Sequence, residues 1–217
     1  MNGASGQLLS LVSSTPGTYW NFNLGAASTK AISYVSVTDS DASGSNAAKK
    51  PVNPTNSTNG GHTVAWFAPS LTFLKTVAVT SDPVNGATNP KNIPGAEVLY
   101  TLRVTNSGAG TVDNNTLVIT DPISTNTELF TGDLSGGAPF IYTNGTPSSG
   151  LSCAFTALGN FADCMDFSND SGVSWVYVPN GSFDPAVTNI RFSLSGTMNA
   201  TGGGNPYFDL NFRVRVK

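Results

Sequence analysis

At 217 residues the chain is long enough for one large β domain or two small ones, each with a core of its own. Charged residues make up only 11% and the formal net charge is -3, so the basic stripe that a nucleic-acid partner requires is missing. Ser, Thr, Asn and Gly stand in for the missing charge, a polar but nearly uncharged surface typical of secreted β-rich proteins, and low charge eases packing between subunits.

In chain order, Leu8-Leu9-Ser10-Leu11-Val12 is far too short to span a bilayer, and no basic segment precedes it. It is not a signal peptide as it stands, so an export signal is expected to be removed or to lie outside this numbering. The surrounding stretch, Gln7, Leu8, Leu9, Ser10, Leu11, Val12 and Ser13, is apolar and free of proline ahead of the Pro16-Gly17 turn. Two readings stay open for it: a strand donated to a neighbouring subunit, or an internal edge strand of its own domain.

Strands are expected around Trp20 to Leu24, Ala31 to Val37 and His62 to Phe67. Between the last two, Asp39 to Gly61 is rich in Ser, Asn, Gly and Pro and reads as a loop or flexible excursion, short of apolar residues to offset its ordering entropy. Ala68-Pro69-Ser70 reads as a junction, which divides the chain into an N-terminal β segment, 1-69, and a main domain, 70-217.

After the junction the alternation is cleaner. Val98, Tyr100, Leu102 and Val104 point one way, and Phe208, Leu210, Phe212, Val214 and Val216 share one face of the last strand. Arg213, Arg215 and Lys217 then lie on its wet face rather than in a binding patch. Phe140 to Thr143, Leu151 to Phe155, Val173 to Val178 and Ile190 to Met198 are further expected strands. Helical periodicity is nearly absent, and one buried face with one wet face indicates an antiparallel β-sandwich.

A run of turn residues in front of the strand at Glu97 carries a resemblance. Lys75-Thr76, Ser81-Asp82-Pro83-Val84-Asn85-Gly86, Asn89-Pro90-Lys91, Ile93-Pro94-Gly95-Ala96, Tyr100-Thr101, Val104-Thr105-Asn106 and Ile119-Thr120-Asp121-Pro122-Ile123 occur in that order. Together they resemble the immunoglobulin-like repeat domain of unknown function found in bacterial cell-surface and secreted proteins. Asp184-Pro185, Gly203-Gly204-Asn205-Pro206 and Phe212 to Val216 extend the likeness to the C-terminus. The resemblance implies an Ig-like sandwich outside the cell, in adhesins, stalks or surface arrays, and carries no catalytic residues. Residues 1 to about 69 lie outside it.

Candidate sites are few. Cys153 and Cys164 flank a plausible turn and read as one local disulfide, since two thiols without a nearby histidine are too few for a metal site. His62 is the only histidine, and no serine sits in a nucleophile elbow, so the chain is read as a non-enzyme. Asp39 with Asp41, and Asp163 with Asp166 and Asp170, are spaced so that loop oxygens could converge on calcium, although neither group matches an EF-hand loop; no other cofactor is indicated. Trp20, Trp175 and Tyr177 would form a glycan-stacking platform if exposed together, and would otherwise fill a core. The expected partners are further copies of the chain, with a glycan or cell surface as the alternative, and neither nucleic acid nor a membrane span is expected.

Overall fold

The computed structural model describes residues 1–217 and is almost entirely β. It divides into two compact units that are discontinuous in sequence. The first contains Met1–Leu71, Asn106–Thr111 and Asn199–Asn205; the second contains Thr72–Thr105, Val112–Met198 and Pro206–Lys217.

The first unit is a stack of parallel coils. Its strands are β1 (Leu9–Leu11), β2 (Trp20–Asn21), β3 (Val35–Val37), β4 (Ser40–Asp41), β5 (Thr58–Asn59) and β6 (Thr63–Val64). They form two short parallel sheets, β1-β3-β5 and β2-β4-β6. Leu9 pairs with Val35 and Ser36 with Thr58, while Ser40 lies between Trp20 and Thr63. Each turn of the chain therefore lays one short strand on each sheet, as in a β-solenoid.

The coils surround a small core of Ile32, Val35, Val37, Ala42, Val52, Trp66 and Phe67. Its polar edge is satisfied internally. The Trp66 indole donates to Ser40 Oγ at 2.7 Å, and Ser45 Oγ accepts from the Leu24 amide at 2.9 Å.

Asp39 to Gly61, expected as a loop or flexible excursion, is mostly loop, but it is tied into the coils by short strands. The stretch holds β4, β5 and a 3-10 turn at Ala47–Lys49. Its ordering is offset by parallel backbone ladders on both sides and by burial of Ala42 and Val52, a source of stability with no period-two signature.

The far end of the stack is covered by residues from later in the chain. Asn59 Nδ2 donates to the Ala109 carbonyl at 2.7 Å, and Asn106 Oδ1 accepts from the Ser70 and Gly108 amides at 3.0 Å each. Gly110 is required here: a Cβ on it would collide with the Phe67 carbonyl oxygen, a backbone atom that cannot swing aside. At the other end β1 pairs only with β3, and its second edge is open.

The second unit is a two-layer sandwich. Its larger sheet contains β7 (Leu71–Ser81), β8 (Glu97–Asn106), β10 (Thr127–Phe130), β11 (Phe140–Asn144), β13 (Phe183–Asp184) and β15 (Tyr207–Val216), in the order β13-β10-β15-β8-β7 with β11 also on β15. The smaller sheet is β12 (Met165–Ser168), β14 (Asn189–Ser193) and β9 (Val118–Pro122), in the order β12-β14-β9.

β15 is the central strand. It runs antiparallel to β8 from Tyr207↔Thr105 to Arg215↔Glu97, and its other edge takes β11 and then β10. The alternation read from the sequence is seen directly: Phe208, Leu210, Phe212 and Val214 are buried against Ile119, Met165, Phe167, Ile190 and Phe192 in one core cluster.

Arg213 and Arg215 lie on the wet face as expected, paired with Glu97 and Glu128. Arg103 and Asp209 form a further bidentate pair on the same sheet.

Two expected strands are not formed. Leu151 to Phe155 makes a single bridge at Ser152, and Val173 to Val178 a single bridge from Tyr177 to Phe167. Val173, Val176 and Val178 are instead exposed, so their β propensity is not matched by a ladder partner. Conversely, β10, β12 and β13 form where the sequence pattern predicts no strand; they are short, and all four residues of β12 are buried, which erases the alternation.

Candidate functional site

The second unit treats its two sides differently. On one side the edge of β12 is covered: the Tyr177 amide donates to the Phe167 carbonyl, and just before the strand the Cys164 amide donates to the Ala154 carbonyl at 3.0 Å. The expected disulfide between Cys153 and Cys164 is present and staples this covering segment. Asp163 holds it further, accepting from the Thr156, Ala157 and Met165 amides.

The opposite side is open. The larger sheet ends at β7 and the smaller at β9, and each has one unpaired edge there. One polar contact bridges them. Lys75 of β7 donates to both oxygens of Asp121 on β9, at 2.9 and 2.7 Å, with its ammonium 4.4 Å from the Tyr100 ring centroid.

Because Lys75 and Val79 both point to the core side, Phe73 and Val77 lie on that side too. Yet Phe73 is 53% exposed and Val77 62%, so the core does not cover them. Leu74, on the outer face, is 57% exposed. An eleven-residue edge strand thus exposes apolar side chains on both faces, and its one charge is already engaged.

The Lys75–Asp121 contact is expected to hold the two sheets together at the open side. Lys75→Met leaves the Asp121 carboxylate, only 9% exposed, without a cation, at a cost of about 1–3 kcal/mol. The double variant Lys75→Met with Asp121→Leu should recover most of that loss. Urea titrations of the two single variants and the double variant measure this coupling, and additive losses would rule it out.

The turn run before β8 is organised by Asp82, whose oxygens accept from the amides of Val84, Asn85 and Lys91 at 2.6–2.7 Å and from Asn85 Nδ2 at 3.0 Å. These bonds, the Asn85 amide foremost, hold its carboxyl at about 2. Asp170 is likewise held at about 2, first by the Ser174 amide and then by the Ser168 and Ser174 hydroxyls.

Both values lie below the unfolded value of about 4, so the stabilisation is complete above pH ~4 and is lost as pH falls towards 2. The melting temperature should therefore be flat from neutral pH down to about pH 5 and fall between about pH 4 and 2. In Asp82→Asn that acid-side fall should be shallower.

The carboxylates considered for calcium do not converge. Asp39 accepts from the Gly17 amide and the His62 ring, Asp41 from the Ser43 amide, and Asp166 pairs with Arg191. No group of three or more His, Cys, Asp or Glu side chains is placed to hold a metal ion. His62, the only histidine, stacks on Tyr19 at 3.9 Å.

The three aromatic residues considered for glycan stacking are divided between the two units. The Trp20 indole donates to the Thr38 carbonyl and its ring packs near Trp66, in the first unit. Trp175 lies under the Arg191 guanidinium, and the Tyr177 hydroxyl donates to Asp184 at 2.9 Å, both in the second. Gln7 to Ser13 includes β1, and Leu8, Leu9 and Val12 of this stretch are exposed.

The signal that points to β7 is present in the sequence, where Phe73, Lys75, Val77 and Val79 alternate with Thr72, Leu74, Thr76 and Ala78. What the pattern lacks is any sign that the second layer stops short of this strand. No protein-family model, characterised protein or solved structure matches this chain.

Proposed function

We propose that this chain is a secreted structural subunit, of an extracellular filament or surface layer, that assembles by pairing its open sheet edges with other copies. One observation carries the reading: each compact unit leaves a β edge open that bears exposed apolar side chains and no unengaged charge, β1 in the first and β7 in the second. Soluble monomers ordinarily blunt such edges with lysine, proline or a bulge, because unpaired backbone groups template further strands.

A disulfide and a sparsely charged surface agree with export. The likeness of Leu71 to Asp133, with the C-terminal motifs at Asp184-Pro185, Gly203 to Pro206 and Phe212 to Val216, to surface Ig-like repeats supports the same location. No cluster of catalytic or metal-ligating groups argues for a competing activity, and the dispersed aromatic residues give no support to a carbohydrate-binding module.

The test is sedimentation velocity and negative-stain electron microscopy of the purified chain over a range of concentrations. The expected result is concentration-dependent association into oligomers, fibres or sheets. A monomer at every concentration up to about 1 mM, with specific retention on a glycan array, overturns the proposal in favour of an adhesin; a bare monomer overturns it as well.

A further inference from the structure

We infer that β7 is a homotypic interface: it pairs antiparallel with β7 of a second copy about a two-fold axis through Thr76. This rests on the self-assembly reading above and names the edge and the register. The free edge of β7 is the longest in the sandwich unit, eleven residues, against five in β9 and two in β13. β9 also ends in a proline, a residue that resists strand addition. β7 has no such protection, and its single lysine is bound to Asp121.

The occupant follows from the strand's own pattern. Opposed residues in an antiparallel ladder share a face, so a two-fold axis must pass through a residue. Thr76 is the midpoint of Leu71–Ser81, so an axis there gives the fullest overlap. It sets Phe73 opposite Val79, Lys75 opposite Val77, Leu74 opposite Ala78 and Thr72 opposite Thr80.

Every one of those pairs is apolar with apolar, threonine with threonine, or a lysine stem against valine. An axis through Lys75 would set two ammonium groups face to face, which is unfavourable. An axis through Leu74 would leave the last four residues of the strand unpaired.

The axis at Thr76 also supplies what each copy lacks. Phe73 of one copy meets Val79 of the other, and Val77 meets the stem of Lys75, on the core side where Phe73 and Val77 are left exposed. A flanking strand covers part of the exposed surface of Phe73, Leu74 and Val77 on each copy. The pair then belongs with the weak, transient interfaces that bury less than about 1,200 Å². About ten backbone hydrogen bonds form along the new ladder. The contact is therefore small and reversible, and it joins the two larger sheets into one continuous sheet.

The experiment uses the full chain, which has no free cysteine to interfere. Residues on the axis lie about 4.5–5.5 Å apart between Cα atoms, within disulfide reach. Thr76→Cys is expected to form a covalent dimer on mild oxidation. Thr72→Cys or Thr80→Cys alone should not, whereas a mixture of these two should.

Val77→Lys places a second ammonium opposite Lys75 on both sides of the axis. It should weaken β7-mediated association about tenfold while leaving the melting temperature of this exposed site unchanged. Association of the wild type with no Thr76→Cys crosslink, or equal crosslinking at Thr72 and Thr76, or unaltered association of Val77→Lys, overturns the β7 interface and leaves the assembly reading standing. Absence of both crosslink and wild-type association overturns both.

Discussion

Trp66→Ala is expected to destabilise the first unit by about 3–5 kcal/mol, the largest effect of any single truncation in that unit. Trp66 is fully buried and is the largest side chain in a core cluster of only seven buried residues. Phe22 stacks on it at 4.7 Å and Trp20 lies at 6.1 Å, so its removal opens a cavity that short parallel strands have little apolar material to refill.

Its indole nitrogen also donates to Ser40 Oγ, which then loses its only side-chain donor in a fully buried position. Amide hydrogen exchange at Val35–Val37 reads the effect within the unit. Protection of those amides should fall by about two to three orders of magnitude, and unchanged protection would show that the parallel ladders hold the coils without the core.

The second large effect is expected from Cys153→Ser with Cys164→Ser. The bond closes a loop with a sequence separation of 11, for which chain entropy gives about 3 kcal/mol. For a domain of this size the loss corresponds to a fall of roughly 10 °C in the melting temperature.

A structural consequence should accompany it. The segment it staples shields the edge of β12, so the reduced protein should gain a further exposed strand edge and precipitate more readily when warmed. Thermal scans with and without reductant measure both. A melting temperature unmoved by reduction would mean that the Asp163 bonds to Thr156, Ala157 and Met165 hold the segment alone.

The parts of this fold that are legible in the sequence are those in which one strand face is dry and the other wet. β8 and β15 alternate so regularly that the inward set, Val98, Leu102, Val104, Phe208, Leu210, Phe212 and Val214, is readable from the alternation alone. The disulfide is readable from the cysteine count and polar composition. The parallel coils are not, because their strands are two or three residues long and too short to show a period. Asp39 to Gly61 owes its order to backbone ladders with Trp20–Asn21 and Val35–Val37, partners some twenty residues away.

The candidate site divides in the same way. That β7 is a strand with apolar side chains on both faces is written in Phe73, Leu74 and Val77. Whether Phe73 and Val77 face a core or water depends on where the smaller sheet ends, which is a property of the packing of β9 and not of β7 itself. The sequence by itself determined an all-β chain, its buried faces and its disulfide, because each is a local pattern or a local pairing of residue types. Only the tertiary structure decided which edges are closed and which are left open, since a strand's partner comes from elsewhere in the chain, or from another copy of it.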